Sequence, residues 1–416
     1  RSNKRMPTLG DWACMLLAAS ACIYFILELD TIIYRVGVAP TSLDLFFSTV
    51  IVVLILEMTR RTNGWILPSI AIFFLAYALL GKYLPYSLGG HRGYSFARVF
   101  SYITGMDGML STPLATSASF VFLFFLFSAF LASTGAGQFF IDIAMAVAGG
   151  KRGGPAKVAV IGSALFGTIS GNSAANVVAS GTFTIPMMIK VGYSPRFASA
   201  VEAVASTGGQ MTPPILGAAA FIIAEYVNVP YIEVAKAAAI PAFAAYAGLL
   251  WITHVEACKL GLRGLSKSEL PSFWTTLKEG LHFLIPICML LYELIIMQHS
   301  AEMSVFRAIV VLALIMLGQP VVKAFVHKKS KRKALKEGIK TLLLSLSAGG
   351  SNMAGVAMAT ASAGIIVGCV SLGLGQQITS FVEILSGGNI FLLLLITALA
   401  SLLLGMGLPT TANYII

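Results

Sequence analysis

The sequence predicts an all-α polytopic membrane protein with inverted-topology repeats that contain re-entrant helical hairpins and broken helices. Apolar residues make up 57% and charged residues 11% of the 416 residues, and the mean hydropathy is +0.86. Soluble domains are about 45–50% apolar and about 25% charged. Apolar runs of about 20 residues, such as 114–133, can cross a bilayer core of about 30 Å. The composition therefore excludes an ordinary cytosolic enzyme, a secreted disulfide scaffold and a disordered protein.

The net charge of +11 is concentrated in one segment. Residues 323–340 hold eight Lys or Arg and one Glu, which accounts for +7 of the total. Basic segments beside apolar spans mark the cytoplasmic side of a membrane and contact anionic lipid, so we do not expect nucleic-acid binding. The five cysteines form no CxxC pair and are interpreted as inert thiols.

The alternation of apolar and basic segments predicts the topology. The first apolar stretch, 12–29, is interpreted as a retained helix, because it is longer than a typical signal core and no small-residue cleavage site follows it. Seven apolar runs are expected to cross the membrane, near 11–29, 42–58, 64–84, 112–133, 282–298, 303–322 and 356–372. Lys151, Arg152 and Lys157 then lie on the cytoplasmic side, as does the basic segment 323–340.

Residues 155–190 predict a re-entrant hairpin. The mostly apolar stretch 158–189 has basic residues on both flanks, so both of its ends lie on the same side of the membrane. Ser170-Gly171-Asn172-Ser173 interrupts it with residues that favour turns and helix caps. Each arm is roughly 22 Å of helix, which is too short for a core of about 30 Å. The tip is therefore expected near the midplane.

Residues 197–228 predict a broken helix. Helical runs at 197–207 and 215–228 flank the segment 208–214, which holds two Gly and two Pro in seven residues. Such a segment cannot continue a helix. Non-helical backbone at membrane depth is tolerated only against protein or a water-filled cavity. We expect this break at the depth of the hairpin tip, and the alternative is a proline kink packed against neighbouring helices.

An internal repeat links the two halves of the chain at an offset of 238 residues. The matching pairs are Gly135 and Gly373, Gln138 and Gln376, Gly149-Gly150 and Gly387-Gly388, Gly167 and Gly405, and, after a one-residue deletion, Ser173 and Thr410, and Ala175-Asn176 and Ala412-Asn413. With 323–340 cytoplasmic, the second hairpin enters from outside, so the two copies have opposite topology. Inverted repeats with broken helices at the midplane are typical of secondary transporters.

The hairpin tip and the break offer two kinds of binding group. The helix N-termini near Ala174 and Ile215 carry partial positive charge and suit a carboxylate. Oxygens that suit a small hard cation such as Na⁺ belong to Ser170, Asn172, Ser173, 207–208 and Thr212. The alternative for any one Ser or Asn is that it caps its own hairpin.

Glu202 is a candidate proton carrier, because it lies shortly before the break and an intramembrane carboxylate is usually functional. The alternative is a pair with Arg196 near the membrane interface. The sequence has no GxSxG, HExxH or GxxxxGK[ST] pattern and no His pair at metal spacing. We therefore expect no enzyme, no transition-metal site and no ATP-driven pump. A channel is also less favoured, because a channel would not need inverted hairpins.

Three motifs resemble the large, DctM-like membrane subunit of tripartite ATP-independent periplasmic (TRAP) transporters. They are 166–176 (FGTISGNSAAN), 202–214 (EAVASTGGQMTPP) and 405–413 (GMGLPTTAN). The chain is most similar to the fused permeases of the TAXI subgroup, in which a small helical module precedes the large one. The resemblance implies an elevator-type secondary transporter in a bacterial inner membrane. Such a transporter imports organic acids with Na⁺ or, in some TAXI systems, H⁺, and receives them from a periplasmic substrate-binding protein.

The resemblance also implies site residues. One sodium site is expected at Ser170, Gly171, Asn172, Ser173, Gly208, Gly209 and Thr212. A second is expected at Gly405, Gly407, Thr410 and Asn413. Substrate contacts are expected at Asn176, Gln210, Pro213, Pro214 and Thr411. No cofactor is expected apart from Na⁺ as the coupling ion, and an H⁺-coupled version would use Glu202.

The expected division of the chain follows from the repeat and the resemblance. It comprises a small-subunit-like module at 1–108, a first repeat at 109–265, scaffold helices with a basic cytoplasmic loop at 266–345, and a second repeat at 346–416. The second copy lacks a counterpart of the broken helix, so we expect the chain to be incomplete at its C-terminus. The expected partners are the binding protein, membrane lipid and a small organic acid.

Overall fold

The structure, a computed structural model, describes residues 8–85, 90–326, 330–405 and 414. In these residues every regular element is a helix, and eight helices are long and apolar enough to cross a membrane. The prediction of an all-α polytopic membrane protein is confirmed. The chain divides into two compact units, Arg1–Ala118 with Ala354–Ile416, and Ser119–Met353. The predicted domain limits at 108, 265 and 345 stay predictions.

Eighteen α-helices follow one another along the described chain. They are α1 (Leu9–Leu27), α2 (Leu29–Arg35), α3 (Ser42–Asn63), α4 (Ile66–Leu80), α5 (Phe96–Ile103), α6 (Thr112–Thr116), α7 (Phe122–Ser133), α8 (Ala136–Ala148), α9 (Gly154–Ser170), α10 (Ser173–Val191), α11 (Pro195–Gly208), α12 (Ala218–Val227), α13 (Tyr231–Lys259), α14 (Phe273–Leu291), α15 (Ala301–Val326), α16 (Lys331–Cys369), α17 (Gly375–Ser386) and α18 (Ile390–Gly405). The first unit contains α1–α6, the end of α16, α17 and α18, and the second contains α7–α15 and the start of α16.

Helices occur at all seven runs that the sequence predicts to cross the membrane, although some of them are longer. A π-helical turn at Ser117–Val121 joins α6 to α7, so the run near 112–133 is continuously helical. The expectation that 323–340 is a loop is wrong for most of its length, because α15 extends to Val326 and α16 begins at Lys331. Seven of its 18 residues are Lys, and Lys favours helix, as do the Ala, Leu, Arg and Glu among the others.

The first unit is held together by an apolar core and by polar contacts to α16. Val52, Leu67 and Ile365 are among the fully buried core residues. Asn63 Nδ2 donates to the carbonyl of Gly355 at 2.9 Å. Burial of the apolar side chains supplies the packing, and the bond to Gly355 gives the Asn63 amide a partner.

The second unit contains the predicted hairpin as two helices joined by Gly171-Asn172. α9 and α10 pack against each other, and Gly171 adopts φ +55, a left-handed conformation that glycine allows without strain. The hairpin packs on α11 and α13 through small and apolar side chains, which include Ala156, Val160 and Ala198. The depth of its tip in a bilayer stays a prediction.

The predicted break is present and is longer than expected. α11 ends at Gly208, a 3-10 turn follows at Gly209–Met211, and α12 begins only at Ala218, so the expectation that helix resumes at Ile215 is wrong. The Gly217 N–H donates to the Gln210 carbonyl at 2.7 Å. The Tyr231 hydroxyl donates to the carbonyls of Pro214, at 2.8 Å, and Ile215. These hydrogen bonds satisfy backbone groups that would otherwise need partners within a helix.

The two copies of the internal repeat share one local structure. Gly135 (φ +97) precedes α8, and its counterpart Gly373 (φ +118) closely precedes α17. The helices that follow also correspond, because α8 and α9 match α17 and α18 at nearly the same offset. The opposite orientation of the two copies in a membrane stays a prediction.

Candidate functional site at the hairpin tip and the helix break

The tip of the hairpin touches the break in the broken helix. Gln210 Nε2, in the break, donates to Ser173 Oγ at 2.8 Å, at the start of α10. Close backbone contacts surround this bond. A Cβ built on Gly209 would lie 2.9 Å from the Gly167 Cα, and a Cβ built on Gly171 would collide with the Leu216 carbonyl oxygen. The two segments approach this closely only because both positions are glycine.

The predicted residues of the first sodium site lie in these two adjoining segments. Gly171, Asn172 and Ser173 are half-buried at the tip, and Ser170 ends α9. In the break, Gly208 and Gly209 are buried and Thr212 is half-buried. The structure therefore brings the tip and the break together as neighbours, as the sequence predicts. A coupling ion at this place stays a prediction.

Thr212 is held by a tyrosine that sequence reasoning did not single out. Its hydroxyl donates to the Gly208 carbonyl at 2.9 Å and lies 3.1 Å from the Tyr246 hydroxyl. Tyr246, on α13, also donates to the Ala205 carbonyl at 3.2 Å. α13 thus supports the end of α11 and the first residues of the break.

The predicted substrate residues differ in burial. Gln210, Pro213 and Pro214 are half-buried in the break, and the Pro213–Pro214 peptide bond is cis. Asn176 is fully buried, and its Nδ2 donates to the Ser163 carbonyl at 2.9 Å. Its role in substrate contact stays a prediction, and full burial of the amide gives that role no support.

Part of the predicted second site lies outside the described residues. Gly405 ends α18, and no structure is described for Gly407, Thr410, Thr411 and Asn413. The second sodium site and the substrate contact at Thr411 therefore stay predictions.

Glu202 forms the centre of a buried polar network beside the break. Its carboxyl group is fully buried and accepts hydrogen bonds from four hydroxyl groups. These come from Ser163 (3.1 Å), Ser180 (2.5 Å), Thr184 and Ser206 (3.1 Å). Three helices contribute to the network, since Ser163 is on α9, Ser180 and Thr184 are on α10, and Ser206 is on α11 with Glu202.

The alternative that Glu202 pairs with Arg196 is wrong. Among the described residues, no Lys, Arg or His nitrogen lies within 4.0 Å of the Glu202 carboxylate, and Arg196 is exposed at the start of α11. Six residues along a helix correspond to a rotation of about 240°, so the two side chains point to different faces. The Glu202 carboxyl group is therefore held by hydroxyl groups and, among the described residues, by no cation.

Comparison with known proteins identifies the family. Residues 50–416 match the family described as the tripartite ATP-independent periplasmic transporter, DctM component. The chain belongs to this family. The resemblance drawn from the three sequence motifs is confirmed, and the family is one of transporters and not of enzymes. The fused TAXI arrangement stays a prediction.

Curated relatives of this DctM-family chain match it over part of its length. The C4-dicarboxylate TRAP transporter large permease proteins DctM of Vibrio cholerae and Rhodobacter capsulatus are 38% identical over 106 residues and 28% identical over 169 residues. These segments are 26% and 38% of this chain, and 23% and 38% of the relatives. The ectoine/5-hydroxyectoine TRAP transporter large permease protein UehC of Ruegeria pomeroyi is 31% identical over 156 residues, 36% of this chain and 35% of that protein. The matches thus span about a quarter to two fifths of these relatives.

The hydroxyl groups around Glu202 are the main feature of this DctM-family chain that sequence reasoning missed. Ser180 and Thr184 are four residues apart on α10, as are Glu202 and Ser206 on α11. Residues at this spacing lie on one helix face. A polar stripe on each of two otherwise apolar helices is the signal from which the contact between these side chains could have been predicted.

Proposed function

We propose that this chain is the membrane permease of a secondary transporter that imports organic acids across a bacterial inner membrane. A sodium gradient drives uptake, and a periplasmic binding protein supplies the solute. The observation that carries this proposal is the contact of the hairpin tip with the helix break, through Ser173 and Gln210. The names of the DctM and UehC relatives, which are TRAP transporter permeases for C4-dicarboxylates and for ectoine/5-hydroxyectoine, support the solute class.

The oxygens at the tip and the break suit a monovalent cation. The helices α9 and α11 both end here, so their last carbonyls lack helical partners and carry partial negative charge. The hydroxyls of Ser173 and Thr212 lie in the same two segments. A shell of neutral carbonyl and hydroxyl oxygens without a carboxylate favours Na⁺ over a divalent ion.

The helices that begin here suit the carboxylate of the solute. α10 starts at Ser173 and α12 starts at Ala218, where Gly217 has no side chain to cap the first N–H groups. Helix N-termini bind anions through these N–H groups and the helix dipole. Cation and carboxylate would therefore bind side by side, which couples the entry of one to the entry of the other.

Transport measurements test this proposal. Proteoliposomes that contain the permease are given an inward sodium gradient, and solute uptake is followed with and without the periplasmic binding protein. Accumulation against the solute gradient that requires both sodium and the binding protein is the expected result. Downhill flux of the solute that depends on neither sodium nor the binding protein would show a channel and would contradict the proposal.

A proton-coupled version is the second candidate, and Glu202 favours it. The carboxyl group is fully buried among four hydroxyls, with no cation near it in the described part of the chain. Protonation and release at this position would change the bonds that join the hairpin to α11. Uptake driven by an inward proton gradient in the absence of sodium, and lost in Glu202→Gln, would select this version.

A further inference from the structure

A cluster of basic side chains lies at the end of the hairpin opposite its tip. Lys157 Nζ, on the first turn of α9, is 3.1 Å from His254 Nδ1 on α13. Arg152 Nη1 and His254 Nε2 are each 3.7 Å from Cys258 Sγ. We call Arg152, Lys157 and His254 the basal basic cluster, and Cys258 lies against it.

In the described part of the chain, the basal basic cluster has no acidic partner. Among the described residues, no carboxylate oxygen lies within 4.0 Å of a nitrogen of Arg152 or Lys157, and Glu256 on the same helix as His254 pairs with Lys259 at 3.9 Å. Lys157 is half-buried. Burial of a charged amine that has no anionic partner costs free energy, so the site favours binding of an anion.

Apolar side chains beside the cluster indicate where that anion comes from. Trp251, Ile252 and Val255 of α13 are 69%, 56% and 49% exposed, and the Trp251 ring is 6.1 Å from the His254 ring. Exposed apolar side chains on a helix of this hydropathy face lipid tails, and tryptophan favours the level where tails meet headgroups. His254 lies within one turn of these three side chains on α13, so we expect the cluster at the level of the lipid phosphates.

We propose that the basal basic cluster binds the phosphate of an anionic phospholipid. The phosphate oxygens accept hydrogen bonds from Lys157 and Arg152, and the acyl chains lie along the exposed apolar face of α13. Such a lipid joins the base of the hairpin to α13 and compensates the charge that the protein leaves unpaired. On the side assigned by the basic residues, this lipid belongs to the cytoplasmic leaflet.

Cys258 provides a direct measurement of occupancy. The purified permease in detergent is titrated with short-chain phosphatidylglycerol, short-chain phosphatidylcholine or inorganic phosphate, and alkylation of Cys258 by a maleimide is followed by mass spectrometry. Cys288, which is also exposed, is the internal reference in each sample. We expect phosphatidylglycerol to slow alkylation of Cys258 while neither phosphatidylcholine nor inorganic phosphate does so. Equal protection by phosphatidylcholine, or protection by inorganic phosphate alone, would overturn the lipid site.

Substitutions in the cluster test which side chains bind the lipid. Lys157→Gln should raise the phosphatidylglycerol concentration for half-protection by about tenfold or more, because a charged hydrogen-bond donor is lost. Arg152 is exposed, so Arg152→Gln retains the fold and should still weaken protection by a few-fold. The control is Lys190→Gln, which removes an exposed lysine that pairs with Glu269 at 3.8 Å and should leave the titration unchanged. Wild-type protection in both cluster variants would refute the assignment.

Discussion

Gly209→Ala adds a methyl group where the break packs against the hairpin. The added Cβ would lie 2.9 Å from the Gly167 Cα and 3.0 Å from Asn176 Nδ2. Neither neighbour can yield easily, because one is helix backbone and the other is the buried amide that bonds Ser163. Overpacking of this kind costs about 1–3 kcal/mol. The segments must separate, and the carbonyls of the break move with them.

We expect this variant to lose both stability and sodium response. The melting temperature of the purified permease should fall, and the sodium concentration for half-maximal uptake should rise by about fivefold or more, as for loss of a ligand. Gly167→Ala should give the same defect, since its Cβ would meet the Gly209 backbone. Because both changes act at one contact, the double variant should be less impaired than the sum of the single effects.

Two other helical glycines are matched controls. A Cβ on Gly248, in α13, or on Gly318, in α15, meets no atom of the described residues within 4 Å. Alanine at either position should stabilise its helix by about 0.5–1 kcal/mol and leave the sodium response unchanged. If Gly209→Ala has the same sodium midpoint and melting temperature as these controls, the close contact between the hairpin tip and the break determines neither sodium binding nor stability.

Three further predictions concern the ion, the proton and the topology. Ser173→Ala and Thr212→Ala should each raise the sodium midpoint by about 5- to 150-fold at fixed pH, whereas a mere capping role would lower the melting temperature and leave the midpoint unchanged. Glu202→Gln should change sodium-driven uptake little, but under proton coupling it should abolish uptake driven by a pH gradient; a proton-driven rate that survives the change would exclude Glu202 as the carrier. Cysteines at Lys151 and Asn389 should react with an impermeant maleimide from the cytoplasm and the periplasm respectively, and reaction of both from one side would refute the inverted repeat.

The buried network around Glu202 gives the hairpin and the broken helix a second connection besides the tip. The hydroxyls of Ser163, Ser180 and Thr184 come from the hairpin, while Glu202 and Ser206 belong to α11. Loss of any one hydroxyl removes one of four hydrogen bonds to a carboxyl group that has no access to water. The hairpin and α11 are therefore bound to each other at both the tip and the middle of the arms.

Local composition by itself determined the class of the fold and the positions of two helix ends, at the hairpin turn and at the break. Apolar runs of bilayer length leave the backbone no option but helix in lipid, so the spans could be predicted without any knowledge of their partners. The turn at Gly171-Asn172 and the end of α11 at Gly208 follow from residues that cannot continue a helix. These features depend on a few neighbouring residues and can therefore be predicted from the sequence.

Tertiary contacts decided where the chain resumes a helix and which groups meet. α12 begins at Ala218 and not at Ile215, because Tyr231, more than ten residues further along, holds the carbonyls that would have closed the first turn. Glu202 lies among hydroxyls because three helices bring their polar stripes to one point, whereas its separation from Arg196 already follows from their six-residue spacing on α11. Sequence spacing gives the face of each stripe, but only the packing of the helices gives the partner, since a hydrogen bond between helices depends on the position of both.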